Sequence, residues 1–175
     1  GLLQRLSPPI SYVVLDFSAA EGGPRDAATW HPRRLGSTPL VALLRDPLAH
    51  RLVWAEDGYP SGGSYRDYSK KDHEGHGFQY WRITSYETPI DDKEVYVPER
   101  ALAAAEEDAL DFAQRIRARL HDLAGEGSGG NDSPLLLVAY DTELFGHWWY
   151  EGPFWLRHVL RHLNSRLVLP GALAA

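Results

Sequence analysis

Apolar positions along this chain follow two rhythms. Short runs at Pro39–Leu44 and Pro134–Ala139 are nearly unbroken in Val, Leu and Ala, and Ile10–Phe17 centres on Val13-Val14-Leu15 with Asp16 near its end. Runs of this length and composition predict strands buried on both faces, the habit of parallel sheets covered by helices. A fourth run, Phe78–Thr84, alternates aromatic and polar residues and also predicts a strand. The second rhythm is helical. Leu102, Ala105, Ala109, Phe112, Ile116, Leu120 and Leu123 draw one stripe at spacings of three and four. Pro98 and Glu99 open this helix and Gly125 closes it, for a length of roughly 40 Å at 1.5 Å per residue. Glu106, Glu107, Arg115, Arg117 and Arg119 form its solvated face. A last helix is predicted over about Glu151 to Leu163. Its His158 and His162, with Arg157 and Arg161, read as a solvated basic face in preference to an i,i+4 metal pair. The sum is an α/β fold with parallel strands and covering helices.

The punctuation between these elements is informative too. Gly1–Leu6 predicts a helix end that Ser7-Pro8-Pro9 breaks. Residues 18–38 lack periodicity and predict a long loop, of a kind that is either functional or disordered. Gly58, Pro60, Gly62 and Gly63 mark a second loop facing substrate, and Gly125–Ser133 reads as an exposed linker. Asp72-His73-Glu74-Gly75-His76 offers two histidines to a metal, but its glycines and the lack of a third spaced ligand argue against one. A sugar-hydroxyl contact by one of these histidines is the alternative.

Composition narrows the function classes. The 175 residues suffice for one domain with a sizeable core. Without Cys, a disulfide framework and a thiolate metal site are both excluded, and a cytoplasmic setting is favoured. There is no signal pattern and no apolar run near 18 residues, so no membrane span is expected. With no Met in the chain, Gly1 is expected not to be the native start. A formal charge of −6 disfavours nucleic acid, whose binding rests on Lys and Arg at phosphates.

The chemistry concentrates in Tyr140-Asp141-Thr142-Glu143-Leu144-Phe145-Gly146-His147-Trp148-Trp149-Tyr150-Glu151-Gly152-Pro153. Acids just past a strand's C-terminal end stand where α/β folds place their sites. Carboxylates beside aromatic rings suit a sugar: acids to move protons, rings to stack on a pyranose. The bland alternative is a helix-capping Asp with core Trp and Tyr.

This string resembles the fourth signature motif of glycoside hydrolase family 57, and within that family its α-1,4-glucan branching enzymes. Leu52-Val53-Trp54, Asp57-Gly58-Tyr59-Pro60, Tyr65-Arg66-Asp67-Tyr68, Phe78–Thr84 and Asp92-Lys93-Glu94-Val95-Tyr96 are similar to that group as well. The resemblance spans most of residues 1–175. It implies the later part of an incomplete (β/α)7 barrel, acting on α-1,4-glucan with no cofactor and no catalytic metal. It implies Asp141 as the general acid/base of a retaining mechanism. The nucleophile, a Glu in the family's third motif, is expected just before Gly1, in a missing N-terminal part of the same catalytic domain. The first and second motifs are likewise not in this chain, so this piece alone is expected to be inactive. Trp54 is a candidate sugar-stacking residue or a core Trp. Glu143, His147 and Trp148 are further candidate substrate-binding residues, and Trp148 and Trp149 are expected to desolvate Asp141. His147 is alternatively a core histidine. In the branching enzymes a loop tyrosine is associated with transfer over hydrolysis. No Tyr lies between Ser18 and Thr38, where only Trp30 or His31 offers a substitute. The readings left open are branching enzyme, α-amylase or 4-α-glucanotransferase, and a non-catalytic glucan-binding piece. A polysaccharide deacetylase-like metal hydrolase would need gathered Asp and His ligands.

Overall fold

The computed structural model describes residues 10–23, 29–72, 76–85, 87–126, 133–164 and 167–173. Its elements are β1 (Tyr12–Leu15), β2 (Arg33–Arg34), β3 (Val41–Leu44), α1 (Pro47–Trp54), α2 (Pro98–Glu126) and α3 (Gly152–Leu163), joined by loops and single 3-10 turns. They fall into two compact units: Gly1–His50 with Arg115–Ala139 and Ser165–Ala175, and Arg51–Gln114 with Tyr140–Asn164. The break at Ser7-Pro8-Pro9, residues 73–75 of the histidine loop and most of the Gly125–Ser133 linker lie outside the described residues. Among the described residues no helix is long and apolar enough to cross a membrane.

The first unit is built on a three-stranded sheet in the order β1–β3–β2. All four residues of β3 are buried, which is the environment an unbroken Val-Ala-Leu-Leu run requires. β1 pairs with β3 in parallel, from Tyr12 opposite Val41 to Leu15 opposite Leu44. β2 pairs antiparallel, Arg33 opposite Ala42 and Arg34 opposite Val41. The sheet is therefore mixed, and β2 lies inside the stretch expected to be loop. Pro134–Ala139 does not become a strand here. It makes one parallel bridge, Leu137 with Arg45, and Asp46 N–H donates to the Leu137 carbonyl at 2.9 Å. Val138 is 40% exposed, so the two-sided burial that would hold such a strand is not met within this chain.

The acids at the two strand ends are structural. Asp16 accepts the Ser18 N–H at 2.9 Å, capping the turn Phe17–Ala19, and pairs with Arg45. The bonds to Ser18 first, then Arg45, hold its carboxyl well below the usual carboxylate range. Asp46 is fully buried. Its Oδ1 accepts the Ala49 N–H at 2.9 Å and so caps α1, with Pro47 in the first turn. Its Oδ2 lies 3.7 Å from Nε of Arg119. The Arg119 guanidinium also stands 5.6 Å from the Trp30 ring centroid. Trp30 is buried, a core residue of this unit rather than a loop aromatic open to substrate.

The second unit gathers the first half of α2, all of α3 and the loops between. α2 begins at Pro98, as its sequence predicts, but runs past Gly125 to Glu126. Ala101, Ala105, Ala109, Phe112, Ala113, Ile116 and Leu123 are buried along its length, whereas Leu102 is 39% exposed and stands off the stripe. Many positions on the buried face are Ala, which leaves room for large rings. Trp155 of α3 fills it, with centroids 5.1 Å from Phe112, 5.2 Å from Trp149 and 6.0 Å from Tyr59. Two phenols tie the loops to α2: Tyr59 donates to Asp111 at 2.6 Å and Tyr65 to Asp108 at 2.5 Å. Burial first, and then the Asp108 hydrogen bond, push the Tyr65 phenol up. In α3, His158 is buried with Nδ1 3.5 Å from Glu106 Oε1. It belongs to the inner stripe with Trp155, Val159 and Leu163, so the solvated basic face is carried by Arg157 and Arg161 without it.

Phe78–Thr84 is an extended segment rather than a strand of a regular sheet, bridged antiparallel at Arg66–Arg82 and Trp81–Val95. A buried ion pair fastens it. Lys93, its side chain fully enclosed, places Nζ 2.8 Å from Asp67 Oδ2 and 2.5 Å from Thr84 Oγ1. Burial pushes the Asp67 carboxyl up, but the bonds from Lys93 and Ser69 outweigh it and hold the group below its usual value. We predict that Lys93→Met costs about 3–5 kcal/mol, because it strands a buried carboxylate. The stability that Asp67 contributes is complete above the unfolded carboxylate value of about 3.9. It is lost as pH falls through the lower folded value. Melting curves from pH 7 down to 3 should therefore show less acid-induced loss in the variant than in the parent protein.

Candidate functional site

Asp141-Thr142-Glu143-Leu144 winds into a 3-10 turn spanning Thr142–Leu144, with Asp141 as its leading residue. The Asp141 carbonyl accepts the Leu144 N–H at 3.1 Å, yet its carboxylate makes no capping bond and its side chain is exposed. The capping alternative is thereby removed: the backbone closes the turn and leaves the acid uncommitted to it. The chain then doubles back, Gly146 N–H donating to Trp149 O and Trp149 N–H to Leu144 O, both at 2.9 Å.

Two glycines permit this winding. Gly146 has φ +91°, a region that side-chain-bearing residues avoid. At Gly152 a Cβ would sit 3.0 Å from Phe145 Cδ1 and 3.3 Å from Phe145 Cα, so any larger residue would require Phe145 to shift.

Burial sorts the motif into two sets. Leu144, Trp149, Glu151 and Gly152 point inward, while Asp141, Glu143, His147, Trp148 and Tyr150 are exposed. Trp149 packs edge-on against Tyr65 at 5.2 Å and is a core anchor, not an open ring over Asp141. Glu151 Oε1 accepts the Arg66 N–H at 3.3 Å. The Tyr96 phenol is pushed up by burial first and then by its hydrogen bond to Glu151. The Arg66 guanidinium lies 3.6 Å from the Tyr150 ring centroid.

The outward set meets a residue that the sequence reading passed over. Tyr68 stacks tilted on Trp148 at 4.5 Å and meets His147 edge-on at 5.1 Å. Its hydroxyl lies 3.3 Å from His147 Nε2. His147 is exposed with a phenol for a partner, so it is not a core histidine. Trp148 is 48% exposed. Together Tyr68, His147 and Trp148 make an amphipathic aromatic surface with polar edges. The signal for Tyr68 was its place in the Tyr-Arg-Asp-Tyr run, where Asp67 and Lys93 fix the backbone. Glu143 is exposed and its carbonyl accepts the Trp148 N–H at 3.3 Å. Trp54, the last residue of α1, is 39% exposed, which removes the core alternative. Among the described residues the ring contacts joining Tyr68, His147 and Trp148 do not include Trp54. In the histidine loop, His76 Nδ1 pairs with Asp72 Oδ2 at 3.1 Å. Among the described residues no group of three metal-ligating side chains gathers anywhere.

No family model matches the chain. It is 37% identical over 166 residues to a probable 1,4-alpha-glucan branching enzyme of Mycobacterium tuberculosis, covering 94% of this chain and 30% of that protein. Its fold is similar to a crystal structure of the GH57 branching enzyme of Thermococcus kodakaraensis, solved with glucose and additives. That match has a TM-score of 0.76 and 31% identity over 90% of this chain and 30% of the other. It is similar as well to an alpha-amylase of Thermotoga maritima, with a TM-score of 0.77 and 29% identity over 93% of this chain and 35% of the other. The chain thus spans about a third of the length of the relatives it matches. The resemblance carried by the Asp141 motif extends over nearly all of these residues.

Proposed function

We infer that this chain carries the acid/base side of a retaining α-glucan site and that the intact protein is a 1,4-α-glucan branching enzyme. The observation that carries this reading is the turn at Asp141. It leaves a carboxylate exposed and free of any capping bond, on the same winding that presents His147 and Trp148 to Tyr68.

The chemistry follows from two carboxyl groups roughly 5–5.5 Å apart across the scissile bond. Asp141, protonated, gives its proton to the leaving glycosidic oxygen. A carboxylate nucleophile from outside these 175 residues attacks the anomeric carbon and forms a glycosyl-enzyme. Asp141, now a carboxylate, takes the proton of a 6-hydroxyl on a second glucan chain as that oxygen attacks, which closes a branch. Tyr68 and Trp148 stack on the apolar face of a glucose unit, and Glu143 and His147 hold its hydroxyls. Trp54 supplies a further stacking ring. The sheet of β1, β3 and β2 is read as part of an incomplete (β/α)7 barrel, completed by chain that the relatives have outside the matched stretch. The setting is read as cytoplasmic, with a glycogen-like product and no cofactor.

Hydrolysis is the second reading. The similarity to an alpha-amylase and the lack of a tyrosine between Ser18 and Thr38 favour it. Incubating amylose with the intact protein separates the two when iodine colour and reducing ends are followed together. Branching removes colour with few new ends; hydrolysis makes ends in step with the colour lost. No change in either would overturn both and leave a glucan-binding role.

A further inference from the structure

A second aromatic surface lies outside the motif. Phe78 and Tyr80 are 56% and 51% exposed. Being two apart on an extended chain, they share one face. Their centroids are 5.6 Å apart and their planes are tilted by 32°, so the two rings pack on each other and present a joint aromatic surface. The backbone beneath is pinned from both sides. Asp72 N–H donates to Phe78 O at 2.9 Å, Tyr96 N–H to Tyr80 O at 2.7 Å, and Arg82 N–H to Glu94 O at 2.9 Å. Phe78 also meets the His76 ring at 6.3 Å, yet both rings remain more than half exposed, and exposed apolar surface of this kind marks binding. A pinned platform also loses little freedom when a ligand settles on it.

We propose that Phe78 and Tyr80 form a second α-glucan-binding platform, outside the catalytic turn, which holds a distant stretch of the same polymer. Among the described residues Arg82 pairs with Glu94 and Asp72 with His76 beside the platform, and the two rings themselves carry no charge, which suits a neutral ligand. Rings rather than aliphatic side chains suit the C–H face of a pyranose. The segment that carries the platform is also tied to the turn. The Gln79 side chain donates to the Tyr68 carbonyl at 2.6 Å, and Tyr68 is the residue that stacks on Trp148. A long glucan engaging both surfaces binds as a two-point ligand, and a short oligosaccharide does not. The proposal rests on the α-glucan reading above.

The test is retardation of the intact protein in native gels cast with amylose, with hydroxyethylcellulose, or with no polymer, and competition by maltotriose. Phe78→Ala with Tyr80→Ala should weaken amylose retardation by about tenfold or more. It should leave the melting temperature and the weak effect of maltotriose unchanged. Phe78→Tyr with Tyr80→Phe should retain parental binding. Undiminished retardation of the Ala pair would overturn the platform and leave the α-glucan reading standing. An intact parent protein that amylose does not retard would overturn both. Equal retardation by hydroxyethylcellulose would overturn the assignment to α-glucan.

Discussion

Asp141→Asn in the intact protein should lose about 10²–10⁴-fold in turnover on amylose while still binding the polymer. The amide keeps the size and exposure of the carboxyl but gives up the proton that the leaving oxygen needs and the base that the second step needs. The fold should not notice. Asp141 holds its turn through its carbonyl, and the side chain makes no capping bond. Equal melting temperatures for the two proteins, with amylose retardation unchanged, would separate a chemical defect from a structural one. Activity within a few-fold of the parent would remove Asp141 from the chemistry.

Trp155→Ala should be the most destabilising single change in the second unit. The side chain is fully buried. Its ring stacks on Phe145 at 6.3 Å and also meets Tyr59, Phe112, Tyr140 and Trp149. Truncation leaves a cavity in the middle of five rings and should cost about 3–5 kcal/mol. That is a large share of the 5–15 kcal/mol typical of a whole domain. The exposed neighbour in the motif provides the contrast. Trp148→Ala should cost under about 1 kcal/mol, because its ring is half in water already. Urea unfolding of the two variants reads the difference directly. A Trp155→Ala protein as stable as the Trp148→Ala protein would contradict this division of the motif into anchors and presented groups.

That division shows where sequence reading succeeds and where it stops. The helix start at Pro98 and the buried run Val41–Leu44 are local matters, set by a ring that fits the first turn and by side chains that avoid water, and both are found as expected. Leu102 was assigned to the α2 stripe by spacing alone. On the molecule Ala101 takes the inward place, because a small side chain there leaves space for rings that arrive from distant loops. Pro134–Ala139 has a strand's composition without a strand's neighbours, and one bridge to Arg45 is all that it forms. β2 went unread since two arginines carry no hydrophobic signal; only the edge of β3 gives them a partner. His158 reads as solvated beside its arginines, but it lies on the buried face of α3 with the Phe154 ring 4.6 Å away and Glu106 3.5 Å from its Nδ1.

The motif was legible for the same reason that it is specific. Its glycines serve the winding directly: Gly146 takes a positive φ and Gly152 passes close to Phe145. Tyr68 was harder to see, since nothing along the chain joins it to His147 and Trp148, 79 residues further on in the former case.

The most direct test of the central claim uses an α-glucosyl fluoride and Asp141→Ala in the intact protein. Fluoride leaves without a donated proton, so the first step should proceed and the glycosyl-enzyme should accumulate for want of a base. Azide needs no base. It should attack the anomeric carbon, release the enzyme carboxylate and give an α-glucosyl azide, restoring turnover. Rescue with retained configuration is the predicted result. A variant that azide does not rescue, or one that yields the β-azide, would contradict the assignment of Asp141 as the acid/base of a retaining site.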